Sequence, residues 1–277
     1  MSGDVVVHDL GRLEGDILLF GGGYSNLQAT DALFLEAEAR GIASANMICT
    51  GDMVGYGADA AAVAQAVRAS GCAVIAGNVE RQIAAGAADC GCGFAEGSAC
   101  DLLSANWYPH AAAQIGDDLR DWMVKLPDLL VFSHDTKRYA VVHGGVAQIA
   151  RFIWPVSDEA AFLSEFAEAE AIAGRVDAII AGHSGIAFER TIGDRHWINA
   201  GAIGMPPHDG RQQTRFVVLN ERGARIERLD YDAEAASQAM ERAGLTQGYH
   251  SALLNGIWPS EDVLPPQMRR DQGFAKG

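Results

Sequence analysis

Three short apolar runs in the first third of the chain, DILLFG at 16–21, MICTGD at 47–52 and CAVIAGN at 72–78, constrain the fold more than any other feature. Between them lie two stretches of helical periodicity. The first, LQATDALFLEAEARG, repeats its apolar residues about every 3.6 positions and ends at Gly41, as expected of a helix C-terminus. The second is ADAAAVAQAVRASG. A β-α-β-α-β rhythm builds an α/β sheet with right-handed crossovers. Such a sheet delivers the residues at the carboxyl ends of its strands into one crevice.

The residues at those ends carry metal-ligand chemistry. Asp52 follows the second run and Asn78 the third. Further on, YAVVHGG places His143, and VDAIIAGHSG places His183, each on a strand-to-loop turn. Together they supply hard oxygen and borderline nitrogen donors. Taken singly, each has a plainer reading. Asp52 suits a turn or a helix cap, Asn78 suits left-handed backbone, and a lone His143 is more often a hydrogen-bonded structural histidine. As a set of four on one sheet edge, they read as a shared metal site.

The remaining chain extends the same architecture. Residues 81–127 read as helical and loop-rich. Strands are predicted near 129–133 and 138–143, a helix over 157–174, and a strand at VDAIIAG. Four short strands follow, in FERTIGD, RHWINAGAIG, TRFVVLN and ARIERLDY, which suggests a second sheet packed on the first. Residues 1–232 form one domain on this reading. Residues 233–277, with Pro259, Pro265 and Pro266, give one short helix and an irregular tail packed on it.

Composition excludes some partners. A net charge of −15 argues against a nucleic-acid polymer, which needs a basic patch, but leaves room for a small phosphorylated substrate. No apolar stretch reaches the 18 or so residues of a membrane helix, and the acidic start MSGDVVVHDLGRLEGD is not a secretory signal. The expected compartment is the cytoplasm.

Two glycine-rich segments are candidates for function. GGGYSN at 21–26 precedes a helix, so amides around Gly22, Gly23 and Asn26 could cradle an anion, or the run is simply a tight turn. Three of the five cysteines, Cys90, Cys92 and Cys100, fall in DCGCGFAEGSAC. In a reducing compartment they are expected as thiols. They could bind a soft metal, act in redox chemistry, or be small buried residues of a tight loop; the last is preferred. His8, His110, His134, His196, His208 and His250 read as surface or structural, His208 lying nearest the expected cleft mouth.

The order Gly-Asp, Gly-Asn, His-Gly-Gly, Gly-His resembles the calcineurin-like metallophosphoesterases, most closely their bacterial diadenosine-tetraphosphatase-like branch. The resemblance covers 16–232 and includes GDMVGYGADAAAV, SANWYPHAAAQIGDDLRDWMVKLP and INAGAIGMPPHDG. It implies a four-layer α-β-β-α sandwich with two mixed sheets and two metals about 3.5 Å apart. On this resemblance Asp52 is the bridging carboxylate, and Asn78, His143 and His183 are the other ligands of the second metal.

The departures from that pattern are concentrated. Where the family has Asp-x-His-Gly-Asn, this chain has Gly22-Gly23-Tyr24-Ser25-Asn26. Gly-Asn-His becomes Gly77-Asn78-Val79, and Gly-His-x-His becomes Gly182-His183-Ser184-Gly185. The first metal loses three of its four ligands while the second keeps all four. The expectation is therefore a metal-dependent phosphoesterase, cleaving a phosphomono- or phosphodiester of a small compound such as a nucleotide, with one divalent transition metal: Zn, Mn or Fe. Asp52 would also orient water, and Tyr24 or Arg81 would stabilise phosphoryl charge. The alternative is a weak pseudoenzyme that binds a nucleotide or a protein partner. A third reading has the cysteine loop rebuild the second site.

Overall fold

The computed structural model describes residues 5–93 and 97–270. It contains an N-terminal strand with no counterpart in the sequence reading, β1 (Val7–Leu13), followed by β2 (Ile17–Phe20), α1 (Leu27–Ala39), β3 (Met47–Cys49), α2 (Ala60–Ser70) and β4 (Ala73–Val74). Then come α3 (Asn78–Ala85), α4 (Ala99–Gln114), α5 (Asp117–Val124), β5 (Leu129–His134), β6 (Lys137–Val141), α6 (Glu159–Ala173) and β7 (Ala178–Ala181). The last elements are β8 (Phe188–Ile192), β9 (Arg195–Asn199), β10 (Thr214–Asn220), β11 (Gly223–Leu229), α7 (Ala233–Arg242) and α8 (Tyr249–Asn255). No helix among the described residues is long and apolar enough to cross a membrane.

The strands form two mixed sheets, ordered β11-β10-β2-β3-β4 and β1-β5-β6-β7-β9-β8. Strand β2 shows why they stack. Its four residues are all buried, and successive side chains point to opposite faces. Leu18 and Phe20 join an apolar cluster with Leu33, Val63, Trp107 and Met240 of the helices, whereas Ile17 and Leu19 join Ile48, Phe132, Val141 and Ile180 between the sheets. A third cluster sets Phe162 and Phe166 of α6 against Val131, Ile179 and Trp197 on the far side of the second sheet. This is the expected α-β-β-α order of layers. Parallel pairing of β2, β3 and β4, and of β6 with β7, aims their carboxyl ends at one rim.

The structure differs from the sequence reading in three places. Strand β1 is an exposed edge strand paired in parallel with β5, so its residues lack the alternating burial that reveals a strand. The strand expected at 72–78 is two residues long. After Ile75 the chain leaves the ladder, Ala76 bonding instead to the Pro127 carbonyl, and Asn78 opens a helix rather than a turn. The C-terminal region holds two helices rather than one. Gly244 and Gly248, both with positive φ, separate them, and α8 buries only Ala252 and Leu253, too few for a periodic signal.

Candidate metal centre

The four sequence-selected ligands meet where the two sheets share a rim. Asp52 and Asn78 come from the first sheet, His143 and His183 from the second. Nε2 of His143 lies 3.0 Å from Asn78 Oδ1, 3.1 Å from His183 Nδ1 and 3.2 Å from Asp52 Oδ2. Donor atoms of Asp52, His143 and His183 all lie within 4.8 Å of one another.

Hydrogen bonding fixes which lone pairs point inward. His143 Nδ1 sits 2.6 Å from the Thr50 carbonyl, which can only accept, so that nitrogen carries a hydrogen and Nε2 is the atom turned into the site. The Asn78 amide nitrogen donates to the Cys90 carbonyl at 2.8 Å, which turns Oδ1 toward the histidines. Four ligand atoms then face one another, and a cation would displace the proton that His143 Nε2 otherwise shares with Asp52. Burial works against charge on His143, but the Asp52 carboxylate outweighs it and raises the imidazole above its usual range. Asp52 shows the reciprocal effect: burial opposes its ionisation, and His143 holds it down nonetheless. His183 is driven to about 3, by burial first and by His143 second, so it stays a neutral donor. Its Nε2 has no hydrogen-bond partner of normal geometry, although the Ala150 carbonyl exerts a weak pull on the ring. The residues present thus fit a divalent ion with mixed nitrogen and oxygen ligands.

The backbone around the site is tightly constrained. Asp52 and His183 adopt left-handed φ of 54° and 56°, which costs non-glycine residues roughly 1–3 kcal/mol each and is common at functional sites. Gly77 is required by proximity: a Cβ there would lie 2.2 Å from Asp52 Oδ1 and 2.4 Å from its backbone nitrogen. Two supports escaped the sequence reading. Glu80, fully buried, accepts the backbone N–H groups of Asp52, Gly77 and Val54 at 2.8, 2.8 and 3.1 Å. Its carboxyl is pushed up to about 7, by burial and then by Asp52. Its position three residues past Gly77 matches a capping pattern, which was the available signal. Asn199 at the end of β9 donates to the Gly182 carbonyl and Ser184 Oγ, fixing the turn that carries His183.

A cleft of about 660 Å³, counting its open mouth, adjoins the site and reaches Asp52 and His183. Tyr24 and Val79 line it. The Tyr24 ring lies over Gly22, and a Cβ on Gly185 would stand 3.5 Å from its hydroxyl. The phenol therefore occupies the side of the site where the family's missing ligands would sit. Its pKa is raised well above normal, by burial first and by Asp52 second, so the hydroxyl stays protonated and can donate.

Other sequence candidates are placed elsewhere. Arg81 is not brought to the cleft: its guanidinium bonds the Val124 and Leu126 carbonyls and pairs with Asp128 at 2.6 Å. Gly22 and Gly23 are not among the residues lining the cleft, and four amides of their turn are consumed. Gly22, Tyr24, Ser25 and Asn26 donate to the carbonyls of Gly51, Asp52, Met53 and Gly23. The Asn26 side chain caps α1 through Ala29 N and bonds the Gly204 carbonyl. The GGGYSN run is a structural turn, not an anion cradle.

Cys90 and Cys92 are joined in a disulfide, contrary to the expectation of free thiols. The loop still reaches the site, through the Cys90 carbonyl and through Cys92 Sγ, 3.5 Å from Asn78 Nδ2. It orients Asn78 and offers no thiolate. The Cys100 side chain lies outside the described residues. His208 bonds Glu261 and accepts from Trp258 N, so it is structural, as expected.

The fold aligns with a metallophosphoesterase from Sphaerobacter thermophilus at 18% identity and a TM-score of 0.64, covering 88% of this chain and 100% of that one. It aligns with hypothetical protein PH1004 from Pyrococcus horikoshii OT3 at 16% identity and a TM-score of 0.69, covering 88% and 99%. A protein described provisionally as a diadenosine tetraphosphatase aligns at 14% identity and a TM-score of 0.50, covering 82% and 99%. At such identities the likeness speaks for the fold alone. No curated protein matches the chain. Residues 25–223, most of the sequence and all four converging ligands, match the calcineurin-like phosphoesterase superfamily domain, and the chain belongs to that family.

Proposed function

We propose that this protein is a metal-dependent phosphoesterase that works from a single transition metal, Zn, Mn or Fe, held by Asp52, Asn78, His143 and His183. Its substrate is a small phosphorylated compound. The observation that carries this reading is the convergence of four ligand atoms on one point, each oriented by a separate hydrogen bond or turn. When bound, such an ion supplies Lewis acidity toward a phosphoryl oxygen.

The chain's own residues do the rest. Asp52 Oδ2 faces the site and accepts a hydrogen from water, orienting its oxygen toward phosphorus. The Tyr24 hydroxyl, kept protonated by burial, donates to a phosphoryl oxygen from the side where the family carries its first metal. Val79 has no proton to give, so the leaving group departs without acid assistance, a help typically worth ~10²–10⁴-fold. Residues 1–232 form the catalytic unit, with residues 233–277, as far as residue 270, packed on it, and the cytoplasm is its compartment. The absence of an acid at position 79 also favours the second reading, a weak enzyme that serves mainly to bind a nucleotide or a protein partner.

Elemental analysis of the purified chain beside turnover of bis(4-nitrophenyl) phosphate tests the proposal. About one transition metal per chain and hydrolysis abolished in Asp52→Asn are expected. A chain that takes up no transition metal refutes it.

A further inference from the structure

The cleft beside the metal centre lacks the cations that phosphate sites ordinarily carry. Among the described residues that line it there is no lysine and no arginine. Arginines on the adjoining segments are committed: Arg81 to Asp128, Arg151 to Glu165 and Arg270 to Glu261. The wall is instead aromatic. Tyr56 packs 4.6 Å from Tyr249 and 4.7 Å edge-on from Tyr24. Trp258 completes it, held by its indole nitrogen on the Pro206 carbonyl at 2.7 Å and by its backbone nitrogen on His208 at 2.8 Å. Rings fixed in this way present large flat area at little further cost in order.

Charge balance limits what such a cleft can hold. One divalent ion, set against Asp52 and the buried Glu80 carboxyl behind it, leaves at most a single positive charge to be met. A monoanion neutralises it, whereas a dianion or a polyphosphate would leave negative charge unpaired against apolar walls, which is strongly disfavoured. We propose that the cleft takes a phosphodiester monoanion with an aromatic ester group lying on Tyr56, Tyr249 and Trp258, and selects against phosphomonoesters and polyphosphates. The inference rests on the metal-dependent reading above, which places phosphorus at the Asp52 edge.

In the reaction that follows, the oxygen of water bonds to phosphorus and the P–O bond to the aryl group breaks with its electron pair. The attacking water gives up both its protons through solvent, one to the leaving phenolate and the other released. The products are a phenol and a phosphomonoester. The second product is a dianion of the class the cleft disfavours, so hydrolysis stops at the monoester and release is aided.

Binding, measured apart from turnover, tests the selection. The full-length chain in excess Mn²⁺ at pH 8 is titrated by calorimetry with diphenyl phosphate and, separately, with phenyl phosphate. Diphenyl phosphate should bind at least ~10-fold more tightly, and Trp258→Ala should weaken it by ~10-fold. Trp258→Phe, which keeps a ring, should retain most of the affinity and stands in should the alanine variant fail to fold. Val263→Lys, a half-buried position on the same wall, should narrow the gap between the two ligands at least ~3-fold by supplying the missing cation. Equal or tighter binding of phenyl phosphate overturns the inference, as does a Trp258→Ala variant with unchanged affinity for diphenyl phosphate. Preferred binding of diphenyl phosphate without hydrolysis of bis(4-nitrophenyl) phosphate would count against the catalytic reading and leave the selection standing. Hydrolysis with a preference for monoesters would do the reverse.

Discussion

Substituting alanine for Gly77 isolates how closely the two site loops must approach. A Cβ at that position would stand 2.2 Å from Asp52 Oδ1 and 2.4 Å from Asp52 N, and an ordinary contact needs roughly 1 Å more. The obstacle includes backbone, so rotating a side chain cannot relieve it. The loop carrying Asp52 must move away from α3 by about that amount, whereas metal-ligand distances tolerate only ~0.2 Å. Overpacking of this kind costs roughly 1–3 kcal/mol, and a 1 Å misplacement at a functional site costs about 10²-fold. Gly116 provides the control. Like Gly77 it is an extended N-cap glycine, with φ −77° and ψ 171° against −85° and 174°, but a Cβ there meets nothing within 4 Å. Effects of alanine on capping and on the unfolded chain are therefore shared, and only the clash differs. Urea denaturation should place Gly77→Ala about 1–3 kcal/mol below Gly116→Ala. Competition with a chromophoric chelator should show a ~100-fold loss of metal affinity for Gly77→Ala alone. If Gly77→Ala binds metal within threefold of the parent, the argument from proximity is wrong.

Three further outcomes are expected. His183→Ala removes a neutral Nδ1 donor that faces His143, so metal content should fall from about one per chain to a small fraction; full occupancy by elemental analysis would end the four-ligand assignment. Val79→His restores a proton donor on the cleft wall, and hydrolysis of alkyl esters should rise by up to ~10²-fold; a native chain already fast on alkyl esters would mean another residue supplies the acid. The free thiols among the described residues should be inert in the native state: burial pushes Cys72 up to about 11 and raises Cys49 as well, leaving only ~10⁻³ of Cys72 as thiolate at pH 8. Mass spectrometry after iodoacetamide treatment should find both unmodified, with Cys90 and Cys92 alkylated only after reduction, and prompt native labelling of Cys72 would contradict its burial.

Tyr24 and Val79 change the site in the same direction. One sets a protonated phenol beside the cleft, and the other lines it with an apolar side chain. Both reduce positive charge and proton-transfer capacity beside Asp52.

The local sequence determined the elements whose signal is periodic and whose ends are punctuated. Buried strands such as Ile17–Phe20 and Ala178–Ala181 read as apolar runs, and helix α1 ends before Gly41 with φ 69°, as its pattern required. Asp52, Asn78, His143 and His183 were legible because each follows such a run, and parallel pairing converts that shared placement into convergence. Tertiary structure decided everything that depends on direction. Arg81 lies one helical turn from Asn78, yet its guanidinium turns to Asp128 and to the Val124 and Leu126 carbonyls, partners that only the packing of α3 against α5 brings near. The glycine-run amides were settled by the neighbouring Gly51–Met53 loop, which takes the hydrogen bonds an anion would need. Exposed β1 carries no alternation, and its pairing with β5 exists only once the second sheet forms. The aromatic wall joins residues 24 and 56 with 249 and 258, and no local pattern encodes a surface assembled from opposite ends of the chain.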